Sequence, residues 1–279
     1  MKILSGVELS KNELENLKNE IESLDIPRKI RLAIIQVGDN EASTKYVQKK
    51  LEKSEYLGIE AKLYKFDESI TQDRLLKKLD NINEYNDGVL VQLPLPHHIP
   101  EQVILDAIPY DKDIDGLSTR NEFNLYNAAG KHFVSATARA VLELMEYYQI
   151  DVKDKRVAVV GRSHLVGKPV AHIIKRMGAQ VATYDEHTGI KGIENADILI
   201  VAAGVAKLVK EKNVKEGAIV IDVGTNLDNK LTKELCGDVD FEDVKDKVSA
   251  ITPVPGGVGP LTVVCLLKNL VDSIKPSED

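Results

Sequence analysis

Tryptophan is absent from this 279-residue chain, phenylalanine occurs four times and cysteine only twice. The two cysteines, Cys236 and Cys265, have neither metal-ligand spacing nor the density of a disulfide framework. No metal is therefore expected, and the chain suits a reducing compartment. An apolar run of 18 residues is also lacking, which argues against a membrane span. The N-terminal MKILSG leads into a helix signal rather than a leader pattern, so a cytoplasmic protein is expected. There is no excess of basic residues. The formal net charge is −7, which argues against a broad nucleic-acid footprint. Repeats and low-complexity segments are missing too. What remains is an ordinary globular composition at a length that suits one large domain or two ordinary ones.

Hydrophobic periodicity divides the chain into two series of strands. Ser10 and Glu13 have the spacing of a capping box, with Leu14, Leu17 and Ile21 following at helical intervals. RLAIIQVG (31–38), EAKLYKF (60–66) and GVLVQLPLP (88–96) read as buried strands, separated by helices ending at Gly58 and spanning roughly 71–82. Strand–helix–strand–helix–strand predicts a parallel sheet. Residues 97–136 read as loop with one short helix near 100–108. An amphipathic helix marked by Val141, Leu144, Met145 and Tyr148 comes next. RVAVVG (156–161), QVATYD (180–185), DILIVAAG (197–204) and AIVIDVG (218–224) then form a second strand series with the pattern of a doubly wound nucleotide-binding domain. The expected fold class is α/β with two domains, a Rossmann-like NAD(P)-binding domain and an α/β catalytic domain, and a ligand cleft between them. The expected catalytic domain is 1–136 completed by a C-terminal helix over 260–279, and the expected cofactor domain is 137–259.

Within STKYVQKKLEKSEYLGI (43–59), helix phase places Val47, Leu51 and Leu57 on one apolar arc with Tyr46 at its edge. Lys45, Lys49 and Lys53 fall on the opposite side, where solvated lysines belong. Lys50 falls inside the apolar arc. It either snorkels to water along the core or points into a cleft with a depressed pKa, available for proton transfer. Gln92 interrupts the apolar run of its strand near the carboxyl end, where ligands gather in parallel sheets. It is either an ordinary strand-end residue or a group that orients a lysine or a carbonyl. Asp113 and Asp115 in KDIDG (112–116) make a turn, or offer a carboxylate to the paired N–H donors of a heterocycle. PVPGGVGPLT (253–262) is stiff at its prolines and open to close ligand approach at its glycines.

GRSHLVGKP (161–169) follows a strand and opens a helix, so its N–H groups could receive phosphate. Its glycine spacing matches neither the generic dinucleotide fingerprint nor a Walker A loop, and a plain tight turn is the other reading. Arg162 could hold a 2′-phosphate or stack on adenine. Asp185 and Glu186, at the end of the next strand, argue the other way, because an acid there favours ribose hydroxyls and NAD. A solvated turn is the alternative for that pair.

Taken together, VGDNEASTKYVQKK (37–50), DGVLVQLPLP (87–96), KDIDG (112–116), VVGRSHLVGKP (159–169), ADILIVAAG (196–204), IDVGTN (221–226), GDVDF (237–241) and ITPVPGGVGPLT (251–262) resemble the methylenetetrahydrofolate dehydrogenase/methenyltetrahydrofolate cyclohydrolase family over nearly the whole chain. The resemblance implies oxidation of 5,10-methylene-tetrahydrofolate with NAD(P)+, then hydrolysis of the methenyl product to 10-formyl-tetrahydrofolate. By matching position, Lys50 would be the central catalytic lysine, Tyr46 would stack on the folate, Gln92 would tune the lysine and Asp115 would bind the pterin N–H groups. Val91, Gln92 and Leu93, with Pro255, Gly256, Gly257, Val258 and Gly259, would line the folate pocket. Gly161, Arg162, Ser163 and Thr225 would contact the cofactor. That cofactor would be NADP as the family default, with NAD admitted because of Asp185 and Glu186. A homodimer is implied as well. Two departures stand out. Ser135, Ala136, Thr137 and Ala138 replace the family's P-C-T-P stretch, implying a looser interdomain joint. Asp185 and Glu186 stand where the family tends to carry a histidine and a serine, implying weaker NADP preference.

Overall fold

Past Arg31, the side chains of RLAIIQV are buried on both faces of the strand. The computed structural model, which describes residues 1–24, 26–227 and 234–275, turns that run into a central strand. In chain order the elements are β1 (Lys2–Ile3), α1 (Val7–Ser23), β2 (Arg31–Val37), α2 (Glu41–Tyr56), β3 (Glu60–Phe66), α3 (Gln72–Tyr85) and β4 (Gly88–Val91). They continue as α4 (Glu101–Asp106), α5 (Thr119–Asn127), α6 (Ala136–Tyr147), β5 (Arg156–Val160), α7 (Gly167–Arg176), β6 (Gln180–Tyr184) and β7 (Ile198–Val201). The last are β8 (Ile219–Asp222), β9 (Asn226–Leu227), β10 (Leu235–Cys236), α8 (Phe241–Val244), β11 (Ala250–Ile251) and α9 (Gly259–Ile274).

The chain forms two compact units. One comprises Glu13–Ala136 with the chain from Val263 onward, and the other Met1–Asn12 with Thr137–Thr262. In the first, a three-stranded parallel sheet has the order β3-β2-β4. Leu32 and Ile34 face a core with Leu17, Val47, Leu90, Leu266 and Leu270. Ala33, Ile35 and Val37 face a second core with Leu75, Leu79, Val89 and Val91. A sheet covered on both faces is why β2 has no polar face in its sequence.

In the second unit, six parallel strands run β1-β11-β8-β7-β5-β6. Strand order reverses around β5, which lies between β6 and β7, so the ligand crevice of such a sheet belongs at the carboxyl ends of β5 and β7. Among the described residues no helix is long and apolar enough to cross a membrane.

Four expectations need correction. The sheet has six strands rather than four, because β1 and β11 are two-residue strands too short to carry a periodic signal. β1 pairs with β11, so residues 1–12 group with the cofactor unit and not with the catalytic one. The Ser10–Glu13 capping box does not form. The helix starts a turn earlier at Val7, and Ser10 Oγ instead donates to the Pro260 carbonyl at 2.8 Å. Helix α5 lies in the stretch expected to be loop, capped by Ser118, whose hydroxyl accepts from Asn121 N–H. The final residues of the expected C-terminal helix, 276–279, lie outside the described residues.

Candidate active site

Helix α2 is started by Asn40, whose Oδ1 accepts from Ser43 N–H at 3.0 Å, and stopped by Gly58 at φ +73°. Between those caps its phase is fixed by Val47 and Leu57, both in the core. Lys50 is consequently only 9% exposed. Its Nζ donates to Gln92 Oε1 at 2.9 Å. Below it, the Ser54 hydroxyl donates to the Lys50 carbonyl at 2.7 Å. Lys45 and Lys49 are exposed, the first paired with Glu41 and the second over the Tyr46 ring. Lys53 departs from the expectation of a solvated side chain. It is half-buried, and burial lowers its pKa despite the neighbouring Cys265. Contact with α9, which the sequence of α2 alone does not reveal, is the reason.

Gln92 lies one residue past β4. Its backbone N–H extends the sheet by donating to the Ile35 carbonyl at 2.8 Å. Its side-chain Nε2 donates to the Leu93 carbonyl at 2.8 Å. With the nitrogen so committed, the amide oxygen is the atom turned toward Lys50. Leu93 O also accepts from Ser43 Oγ.

The two aspartates of KDIDG separate in role. Asp113 is buried and spends its carboxylate locally, accepting from Ser118 N–H at 2.7 Å and Asn121 Nδ2 at 2.9 Å. Asp115 accepts from Ala136 N–H at 3.2 Å and acts electrostatically on Lys50. Burial pushes the Lys50 ammonium below the ordinary lysine range, and the Asp115 carboxylate opposes that shift. Burial pushes Asp115 upward, opposed by Lys50 and the Ala136 N–H. Tyr46, one turn before Lys50, is 42% exposed and leaves a ring face open to a planar ligand. Lys50, Gln92 and Asp115 are thus brought together, with Val91 buried and Leu93 half-buried beside Gln92.

In the other unit, Gly161 ends β5 at φ +102° and donates its N–H to the Tyr184 carbonyl. A Cβ at Gly161 would stand 2.1 Å from the Ala202 carbonyl oxygen, and one at Gly167 would stand 1.8 Å from the Gly161 oxygen. The turn is therefore closed tightly between the end of β7 and the start of α7, with no room for a side chain at either glycine. Gly161, Arg162 and Ser163 line a cavity of about 590 Å³ together with Asp185, Glu186 and Ala203. Each guanidinium nitrogen of Arg162 has an acceptor: Nε donates to Thr183 Oγ1 at 2.9 Å, one terminal nitrogen to Asp185 Oδ2 at 2.8 Å, and the other to the Thr183 carbonyl at 2.7 Å. Asp185 is held below the usual carboxylate range by the Thr188 N–H and hydroxyl, then by Arg162 and the His187 N–H. Thr225 is exposed and does not line this cavity. A turn with glycine at both ends at the switch point, a cation and a cavity of this size fit a dinucleotide.

The PVPGGVGP segment lies in this same unit. Pro255 and Gly259 are exposed and Val258 is buried. Gly256 adopts φ +109° and its carbonyl accepts from Gly6 N–H, while a Cβ at Gly257 would meet the Pro253 carbonyl at 2.7 Å. Sequence reasoning missed Thr183, which holds Arg162, and the buried pair Asp222 and Asp238. The signal for Asp222 is an acid closing the apolar run AIVID.

Residues 4–115 match the catalytic-domain model of the tetrahydrofolate dehydrogenase/cyclohydrolase family, and residues 135–278 match its NAD(P)-binding-domain model. The bifunctional protein FolD of Mycoplasmopsis synoviae is 63% identical over 278 residues, covering 99% of this chain and 100% of that protein. A crystal structure of the bifunctional FolD dehydrogenase/cyclohydrolase from Campylobacter jejuni superposes with TM-score 0.91 at 40% identity, covering 98% of each chain. A Trypanosoma brucei FolD structure, complexed with NADP and an inhibitor, gives TM-score 0.91 at 32% identity over 97% of this chain and 96% of that one. The buried amine beside Gln92 and Asp115 and the glycine-lined cavity therefore sit in a chain that belongs to the tetrahydrofolate dehydrogenase/cyclohydrolase family.

Proposed function

We propose that this chain oxidises 5,10-methylene-tetrahydrofolate to the 5,10-methenyl cation with NADP+ or NAD+, and then hydrolyses that cation to 10-formyl-tetrahydrofolate. The observation that carries the reading is the buried Lys50 amine, hydrogen-bonded to a neutral amide and opposed by one carboxylate. A lysine whose pKa is moved toward neutrality can accept a proton from the attacking water and return it when the ring opens. Gln92 holds the amine at a fixed place without fixing its charge. Asp115 orients the pterin through its N–H groups, and Tyr46 stacks on the planar ring system. Val91 and Leu93 shape the folate pocket beside Gln92. Gly161, Arg162 and Ser163 bind the dinucleotide, which when bound takes up the hydride. The enzyme is cytoplasmic and homodimeric through the cofactor unit, where β6 ends the sheet and offers a strand edge.

The test follows absorbance on mixing 5,10-methylene-tetrahydrofolate with NADP+ or NAD+. Wild type should produce reduced cofactor with no lasting methenyl signal. Lys50→Met should accumulate methenyl-tetrahydrofolate. Absence of turnover with either cofactor would sink the proposal.

A further inference from the structure

The cofactor unit holds two aspartates that the reaction above leaves unused. Asp238 is fully buried and Asp222 nearly so. They interlock. Asp222 Oδ1 accepts from the N–H groups of Gly224 (3.0 Å) and Asp238 (3.1 Å), and its Oδ2 from Val239 N–H (2.8 Å). Asp238 Oδ2 accepts from the N–H groups of Ala203 (2.6 Å) and Gly204 (2.9 Å), and its Oδ1 from Asn226 Nδ2 (2.8 Å). Each carboxylate sits where only glycine leaves room. A Cβ at Gly237 would stand 1.8 Å from Asp222 Oδ2, and one at Gly224 would stand 2.2 Å from Asp238 Cγ.

Two neighbouring buried carboxylates are an expensive way to close a core. Burial, reinforced by the Asp238 charge, outweighs the N–H donors and pushes Asp222 up to about 7. The arrangement has a clear mechanical product, however. It ties three segments at the carboxyl edge of the sheet: the turn after β7, the turn after β8, and residues 237–239. The turn after β7 is a wall of the nucleotide cavity, which Ala202 and Ala203 line. It is also the surface against which Gly161 is packed, through the Ala202 carbonyl.

We propose that Asp238 is a positioning residue for dinucleotide binding, holding the 202–204 turn against Gly161, and that Asp222 holds Asp238 in place. The inference rests on the dehydrogenase reading and deepens it. Its effect is confined to the cofactor: hydrolysis of methenyl-tetrahydrofolate consumes no dinucleotide and does not depend on this turn.

Two variants test it. Asp238→Asn keeps size but exchanges one acceptor oxygen for a donor. Gly224→Ala keeps Asp238 and drives a methyl group into its carboxylate. Fluorescence titration with NADPH and with NADH should show Kd raised about tenfold or more in both variants, the loss expected when a charge-assisted hydrogen bond is removed. In steady state the dinucleotide KM should rise while saturating kcat changes by less than about threefold. Hydrolysis of added methenyl-tetrahydrofolate should stay at the wild-type rate. Unchanged Kd in both variants would overturn the proposal. So would a parallel loss of hydrolysis and dehydrogenation, which marks a purely structural pair. The titration involves no folate chemistry, so failure of the wild type to turn over folate would be seen separately, as failure of the functional reading.

Discussion

Lys50 and Arg162 are both cations near the carboxyl ends of parallel strands, and the fold treats them in opposite ways. Lys50 is buried and meets one neutral acceptor, the Gln92 amide. Arg162 is exposed and gives hydrogen bonds to three acceptors, one of them a carboxylate. Desolvation without a contact ion pair makes the charge of the first negotiable. An acceptor at each guanidinium nitrogen fixes the position of the second, and its charge is partly answered by Asp185 before any ligand arrives. Under the proposed function the first would change protonation state and the second would hold a shape.

That contrast can be broken most severely at Lys50. Lys50→Arg retains a cation, but a guanidinium does not deprotonate in proteins. Methenyl hydrolysis should fall at least about 100-fold, the ordinary worth of a general acid–base group, and stopped-flow absorbance would register it. Retention of wild-type hydrolysis would show that charge alone suffices. A smaller effect is expected at the second cation. Asp185→Ser removes the carboxylate that answers Arg162, so the guanidinium is released toward a 2′-phosphate. The ratio of kcat/KM for NADP+ over NAD+ should rise about tenfold, in keeping with a gained charge-assisted contact of about 1.5–3 kcal/mol reduced by solvent exposure. An unchanged ratio would mean that Arg162 reaches the cofactor regardless of its partner.

A third effect concerns stability and not turnover. Asp222 has its folded pKa raised from 3.8 to about 7. The folded state therefore holds a proton that the unfolded chain has lost across that range, and the linked stability falls as pH rises. The contribution is full below about pH 4 and lost as pH climbs through about 7. Denaturant melts at several pH values should show this decline in wild type and a flatter profile in Asp222→Asn. Identical slopes would remove Asp222 as its source.

Much of this was legible in the sequence, for reasons that differ by residue. Lys50 could be singled out because a 16-residue helix repeats its phase often enough for one misplaced charge to show. Gln92 could be found because it breaks an otherwise apolar strand. The Arg162–Asp185 pair could not be seen as a pair. It forms because β5 and β6 align Val160 with Tyr184, and register is set by tertiary packing. The same limit hid β1 and β11, where two residues carry no period, and Lys53, whose surroundings come from a helix more than 200 residues later. Helix α5 was missed because TRNEFNLYN is rich in asparagine, a poor helix former, and its Asn121 and Asn124 side chains are spent on buried backbone and side-chain partners.

The bond from Gln92 Nε2 to the Leu93 carbonyl has a last consequence. It makes glutamine and glutamate unequal here despite their equal length. A carboxylate has no hydrogen to give Leu93, and would face that carbonyl with like partial charge while drawing the Lys50 amine into a contact ion pair. The lysine would then be held charged through the cycle. In the proposed hydrolysis, one amide nitrogen aimed at a neighbouring carbonyl is what would let the proton leave.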